Sequence, residues 1–319
     1  MKKPFRYALC ALLTLLLLAL AGAGVYLFEF SLHPSRNEGR NTVGSYAYLF
    51  DTYPQTIGWI DSLQSEGALR DTFLVSRQGG RLHALYVPAA VPTSHTAVIV
   101  HGYTDCSVRM LMIGYLYHRH LGYNILLPDL HAHGQSEGTY IRMGWLDRLD
   151  LLGWMQLANE RFGGQTRQVL HGISMGASAV MMLSGEQLPP YVACIIEDCG
   201  YTDVFDQFAY IMKRDFGLPA FPLLYTANVV SRLADDWGVW FTGASAVQQV
   251  AKCKLPMLFI HGDADTYVPT RMAYTLYEAK PLPKELWIVP EATHAMSYKM
   301  RPGEYTRRVR EFVERYVGE

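Results

Sequence analysis

Residues 169–183 constrain this chain more than any other stretch. They run Val169-Leu170-His171, then Gly172-Ile173-Ser174-Met175-Gly176, then an apolar series from Ala177 to Leu183. The pattern reads as a short buried strand, a sharp turn and the start of a helix. A serine hydroxyl is a weak nucleophile until it is aimed and deprotonated, and a strand-to-helix turn aims it. Side chains at positions 172 and 176 would collide where strand and helix cross, hence the two glycines. The turn also puts the Met175 amide at a helix N-terminus, where it can hold charge developing on a carbonyl oxygen. A tight glycine turn with an incidental serine is the alternative reading, so the rest of the chain must supply the serine's partners.

Apolar runs alternate with helical spacing on both sides of this turn. The segments 72–76 and 82–87 flank Gln78-Gly79-Gly80 and read as a hairpin. Strands are expected at 96–100, 124–127, 168–170, 193–197, 255–260 and 285–289, with helices at 108–121, 145–162 and 305–317. Continuous apolar strands separated by helices mean a mainly parallel sheet covered on both faces: an α/β chain with antiparallel strands at one edge. Residues 46–69 have weak helical character and read as a packing arm. Residues 203–252 interrupt the alternation and carry Phe205, Phe208, Phe216, Phe221, Tyr225, Trp237, Trp240 and Phe241. That stretch is too long for a plain connection and reads as a helical cap, its apolar underside over the strand ends.

The partners of Ser174 follow in chain order. His261-Gly262-Asp263-Ala264-Asp265 comes directly after one strand, and His294 lies in the loop after the last. A carboxylate at Asp265 would orient the His294 imidazole and stabilise it when protonated, while Asp263 is the runner-up and better suited to shaping the turn. The order Ser174, Asp265, His294 is the one expected for this sheet type. A second oxyanion donor is expected after strand 96–100, in His101-Gly102-Tyr103-Thr104, with the Tyr103 amide favoured because Gly102 allows a tight turn before it. His101, His171 and His261 each precede or follow strand-end glycines and read as buttresses.

At the N-terminus, Lys2, Lys3 and Arg6 precede an uncharged, leucine-rich run from Ala8 to Phe28. About twenty such residues cross a ~30 Å hydrocarbon layer as a helix, and the preceding cations favour a cytoplasmic N-terminus. Two readings follow: an uncleaved signal anchor that leaves the rest of the chain outside the cytoplasm, or a signal peptide cleaved near the small residues 19–24. The polar stretch after Ser31, with Pro34, Arg36, Asn37, Glu38 and Gly39, reads as a short tether. The expected organisation is therefore a membrane segment at 1–30, a tether and arm at 31–69, and a catalytic domain at 70–319 containing the cap. A net charge of −1 over 319 residues gives no reason to expect nucleic acid as a partner. Cys106, Cys194, Cys199 and Cys253 would permit disulfides in an exported domain, with three possible pairings.

From about residue 70 to the end the chain resembles the α/β-hydrolase superfamily. The motifs that carry this are His101-Gly102 after a strand, Asp129 to Gly138, Gly172-Ile173-Ser174-Met175-Gly176, Gly262-Asp263-x-Asp265-x-x-Val268-Pro269, and His294. It looks most like the exported or membrane-tethered bacterial serine hydrolases grouped as Bem46-like and serine aminopeptidase-like. The resemblance implies Ser174 as nucleophile, Asp265 as acid and His294 as base, with the amides of Tyr103 and Met175 as oxyanion hole. It also implies that Asp129 and His133-Gly134 support the site without doing chemistry. Many relatives carry arginine where this chain has His131, so a salt bridge at that place is not expected here.

The expected activity is hydrolysis of small to medium carboxylic esters through an acyl-serine, with no metal or organic cofactor required. A peptidase or amidase is the alternative; it would need an anionic anchor for a substrate amine, for which Asp235-Asp236 is the candidate. A non-catalytic binding scaffold is a third reading, and an intact, ordered triad argues against it.

Overall fold

The apolar runs form eight strands of a single sheet in a computed structural model that describes residues 3–33, 41–234 and 237–318. The strands are β1 (Arg70–Val75), β2 (Arg81–Val87), β3 (His95–Val100), β4 (Asn124–Pro128), β5 (Arg167–Ile173), β6 (Val192–Asp198), β7 (Met257–Gly262) and β8 (Lys284–Val289). They lie in the order β1-β2-β4-β3-β5-β6-β7-β8. The first two form the expected hairpin, and β2 pairs antiparallel with β4; every pair from β4 to β8 is parallel. Most strands begin or end a residue or two outside the sequence expectation.

The inner strands are buried throughout because both faces are covered. Alternate residues feed two cores, as the period of a strand requires. Val98, Val100, Leu126 and Leu170 face one way, against α5 (Asp147–Arg161), α6 (Met175–Leu183), α9 (Ala246–Val250) and α10 (Arg271–Ala279). Ala97, Ile99, Ile125, Leu127 and Val169 face the other, against α2 (Thr42–Thr52), α3 (Ile57–Ser65), α4 (Leu111–Tyr115) and α12 (Pro302–Val317). Each fully buried Leu, Ile or Val contributes roughly 1.5–3 kcal/mol. The arm expected at 46–69 is thus the helix pair α2 and α3. The helix expected at 108–121 is shorter: α4 passes into one π turn over Leu116–His120. In that turn His118 accepts from Trp59 Nε1 at 3.1 Å and donates to the Pro88 carbonyl at 3.1 Å.

The chain leaves β3 toward β4 on one side and returns to β5 on the other. A crevice opens at the carboxyl ends of such strands, where the order reverses. The loop 101–104 and the turn at Ser174 meet there. Above it stands the segment between β6 and β7, with α7 (Val204–Phe216) and α8 (Leu223–Leu233). Asp203 caps α7 by accepting from the Asp206 amide at 2.7 Å. Trp237 and Phe241 are buried, and the Trp237 indole donates to the Ile141 carbonyl at 2.9 Å, tying this segment to the body.

The apolar N-terminal run is one helix, α1 (Lys3–Leu32), long and apolar enough to cross a membrane. Residues 3–19 are exposed, whereas Gly24, Phe28 and Leu32 are buried against the body. The stretch read as a tether, residues 34–40, lies outside the described residues. The short α11 (Ser297–Met300) precedes α12. Cys106, Cys194, Cys199 and Cys253 are all buried and unpaired, and the Cys106 thiol donates to Ser45 Oγ at 3.2 Å.

Candidate active site

Ser174 sits between β5 and α6 with φ 57° and ψ −118°, in the left-handed half of backbone space. A non-glycine residue held there costs about 1–3 kcal/mol. The surrounding contacts enforce it. A Cβ at Gly172 would lie 2.2 Å from the Gly176 carbonyl oxygen, and one at Gly176 would lie 2.1 Å from that of Val100. The Ser174 amide donates to the Asp198 carbonyl at 2.8 Å, which seats the turn on β6. Gly102 lies against the serine: a Cβ there would be 3.2 Å from Ser174 Cβ. Tyr103, the residue that follows, lines the same cavity as Ser174, and Met175 is the first residue of α6.

His294 arrives from the loop after β8. Its Nε2 is 2.8 Å from Ser174 Oγ and its Nδ1 is 2.7 Å from Asp265 Oδ2. Glu291 and Ala295 flank it with φ of 65° and 58°, so the loop turns sharply at both ends. A Cβ at Gly262 would be 2.0 Å from the Ala292 carbonyl oxygen, so β7 and this loop are in direct contact. The structure thus brings Ser174, His294 and Asp265 into one hydrogen-bonded chain. Asp263 is exposed and stands outside it; its Oδ1 accepts from the Glu291 amide at 2.6 Å and pins the His294 loop to β7.

The Asp265 side chain is fully buried. Burial by itself would raise its pKa, but the imidazoles of His261 and His294 and the Val268 amide hold it below the ordinary carboxylate range. Its Oδ1 accepts from the amides of Tyr267 and Val268 at 2.8 and 2.9 Å. His261 Nε2 lies 3.4 Å from Asp265 Oδ2 and 2.9 Å from the Val268 carbonyl. His261 is therefore more than the strand-end buttress expected from sequence, since it touches the carboxylate that holds His294. His171 lies beneath the sheet between Tyr117 and Tyr305, away from the crevice.

The loop after β3 is held by histidines acting as hydrogen-bond bridges. His101 Nδ1 donates to the Gly102 carbonyl at 2.7 Å, and its Nε2 accepts from the Leu130 amide at 2.9 Å. His133 Nε2 accepts from the Thr104 amide at 3.1 Å while its Nδ1 donates to the His131 carbonyl. Burial pushes the His133 pKa down to about 3. Asp129 accepts from the amides of Ser107 and Gln135 and pairs with His83 at 2.7 Å. The 129–138 loop thus braces residues 101–107 against the sheet.

A cavity of about 500 Å³ extends from Ser174 under α7 and α8. Tyr103, Tyr201, Phe208, Met212 and Phe241 are among its lining residues, and it is largely apolar. Of the expected cap aromatics, Phe208, Phe216 and Phe241 line it, Phe216 while partly exposed, whereas Phe221 and Tyr225 are exposed outside it. Asp215 is the one carboxylate at this wall among the described residues, and it pairs with Arg214 at 2.5 Å. Asp235 and Asp236, considered as an anchor for a substrate amine, lie outside the described residues. Cys199, Asp265 and His294 bring one donor atom each within 4.8 Å of one another. Two of those groups are bonded together and burial raises the pKa of the thiol, so they make a poor metal site.

Two contributors escaped the sequence reading. Glu197 ends the apolar strand expected at 193–197 and Asp198 follows it, yet both are buried beneath the site. Burial raises Glu197 to about 8 and Asp198 to about 6. Asp198 accepts from Tyr305 and Ser297. The second contributor is α1, whose Tyr26, Leu27, Phe30 and Ser31 line the same cavity. No local pattern in either segment marks this; it follows from where the fold brings them.

Residues 97–308 match the model of the alpha/beta hydrolase family. Over 229 residues the chain is 31% identical to the uncharacterized protein YqkD of Bacillus subtilis, covering 72% of this chain and 74% of that protein. It is 23% identical over 238 residues to the uncharacterized protein YfhR of Escherichia coli (strain K12), covering 73% and 75%. Among solved structures it is similar to the Pyrococcus furiosus esterase Pf2001, with a TM-score of 0.63 at 22% identity over 78% of this chain and 93% of that one. It is also similar to the Pyrococcus horikoshii acylaminoacyl peptidase, with a TM-score of 0.56 at 19% identity over 78% and 41%. At these identities the two structures speak for the fold.

Proposed function

The chain belongs to the alpha/beta hydrolase family, and from that premise we propose that it is a serine hydrolase cleaving carboxylic esters through an acyl-enzyme. One observation carries the reading: the unbroken chain from Ser174 Oγ through His294 to the buried Asp265, at 2.8 and 2.7 Å. Asp265, held ionised, keeps the proton of His294 on Nδ1, so Nε2 faces the serine as an acceptor. His294 takes the Ser174 proton as Oγ attacks the ester carbonyl. The amides of Tyr103 and Met175 donate to the oxyanion, the second with the N-terminal dipole of α6 behind it. His294 then passes the proton to the leaving alcohol. Water, activated by the same imidazole, releases the acid and restores the serine.

Esters are favoured over amides because the cavity is apolar and the one acidic group that lines it among the described residues, Asp215, is already paired with Arg214. In this proposal α1 is an uncleaved membrane anchor, Lys3 and Arg6 lie on the cytoplasmic side, and the domain from residue 70 on stands outside the cytoplasm with its cap at about 203–252. The test is hydrolysis of p-nitrophenyl esters from acetyl to palmitoyl beside aminoacyl-p-nitroanilides, with wild type and Ser174→Ala. Ester turnover that falls at least a thousandfold in Ser174→Ala supports the reading. Substantial hydrolysis remaining in that variant refutes it, and anilide cleavage with little ester turnover moves the protein to the amidase class.

A further inference from the structure

The membrane helix and the active-site cavity share residues. Over its last turns α1 is packed rather than tethered. A Cβ at Gly24 would lie 2.8 Å from Thr226 of α8. Phe28 stacks with Phe241, centroids 6.2 Å apart, and meets Tyr140 edge-on at 4.9 Å. The Tyr140 hydroxyl donates to Glu29 Oε1 at 2.6 Å and the Ile141 amide to the Leu32 carbonyl at 2.8 Å. Tyr103, the proposed oxyanion donor, gives its hydroxyl to the Ser31 carbonyl at 2.6 Å. Tyr26, Leu27, Phe30 and Ser31 complete the cavity wall beside the cap.

Helix length places this wall relative to a bilayer. An α-helix rises ~1.5 Å per residue, so Arg6 and Tyr26 are ~30 Å apart, the thickness of a hydrocarbon core. With Arg6 at one headgroup layer, Tyr26 to Phe30 lie at the other, the level that aromatic side chains favour. The side of the cap packed beside α1 suits the same level. Tyr225, Val229 and Leu233 form an i, i+4, i+8 stripe on α8 and are 50%, 47% and 74% exposed, and neighbouring Phe221 is 71% exposed. An apolar face of this kind is unusual in water, and here it lies on a helix packed against one of membrane length.

We infer that this face rests in the leaflet farther from the N-terminus and that the cavity takes its substrate from the bilayer: an amphiphilic ester with one long acyl chain. The inference rests on the serine-esterase reading above and deepens it. The acyl chain lies between α1 and the cap while the ester reaches Ser174 Oγ. In this arrangement α1 is a wall of the substrate site as well as an anchor, and removing it would open the cavity on one side.

The test uses the full chain reconstituted in phosphatidylcholine vesicles, with monooleoylglycerol in the bilayer and p-nitrophenyl acetate in the water. Replacing the exposed cap face (Phe221→Ser, Val229→Ser and Leu233→Ser together) should leave acetate turnover unchanged and lower oleoyl ester turnover at least tenfold. Leu27→Trp, which fills the α1 side of the cavity, should lower the oleoyl-to-acetyl rate ratio at least tenfold without the surface change. Wild type that cleaves the acetate through Ser174 but leaves monooleoylglycerol intact overturns the inference alone. So does a rate ratio unmoved by either variant. Failure to cleave either substrate overturns the esterase reading, and the inference with it.

Discussion

Exchanging Asp265 for asparagine changes one heavy atom and should disable the site. In the native arrangement Oδ1 accepts from the amides of Tyr267 and Val268 and Oδ2 accepts from His294 Nδ1. Asparagine keeps a carbonyl oxygen for the two amides and turns its NH2 toward His294. The imidazole must then accept at Nδ1 and carry its proton on Nε2, 2.8 Å from Ser174 Oγ. It can no longer take the serine's proton, and the imidazolium formed during attack loses its counter-charge. The expected loss is about 10⁴-fold in kcat, or roughly 5 kcal/mol of barrier. The fold should lose only about 1–2 kcal/mol, because the two amides and His294 keep partners and what changes is the charge assistance and the 3.4 Å contact with His261 Nε2. The assay is p-nitrophenyl butyrate hydrolysis beside a thermal melt. Asp263→Asn is the matched control: that carboxylate is exposed and, among the described residues, accepts from the Glu291 amide alone, which asparagine also satisfies. Its kcat should stay within about threefold of wild type, as for most surface changes. Asp265→Asn retaining a tenth of wild-type kcat, or Asp263→Asn showing the larger loss, would refute the assignment.

Other outcomes follow from particular contacts. Gly176→Ala puts a Cβ 2.1 Å from the Val100 carbonyl oxygen, so α6 must retreat from β3 by about 1 Å. That should cost about 1–3 kcal/mol or more in urea melts and about a hundredfold in kcat. Glu197 is buried with its pKa raised to about 8 from an ordinary 4.5, so the folded state prefers the neutral acid. Its favourable effect is complete below pH ~4.5 and is lost as pH rises through ~8, up to about 5 kcal/mol. Glu197→Gln, neutral at every pH, should therefore flatten the fall in Tm between pH 5 and 9. A wild-type-like slope in the variant would show that the carboxyl ionises in place without cost.

The alternation of apolar strands with helical segments follows from local periodicity, so the mainly parallel sheet and the antiparallel edge hairpin were legible in the chain. Boundaries shifted by a residue or two because strand ends are set by neighbours. The helix expected at 108–121 came out shorter because the chain there passes into a π turn anchored by Trp59 and Pro88, partners distant in sequence. The turn at Ser174 was legible for a different reason: a left-handed residue between two close-approach glycines is a local demand, written in five consecutive letters.

What lies across the fold was legible only as candidates. His294 is 120 residues from Ser174, and sequence order nominated it without fixing a distance. His261 looked like a buttress because its contact with Asp265 depends on how the β7 loop folds back. Glu197 passed as the end of a strand and Asp198 as the residue after it, because their burial is decided by β5, β7 and α12 packing around them. The largest gap concerned α1. Its composition speaks of a membrane and is silent about which side of the helix meets protein. A uniformly apolar helix carries no stripe to read, so only the tertiary structure, through Gly24 against Thr226 and Tyr103 against Ser31, made its last turns part of the site.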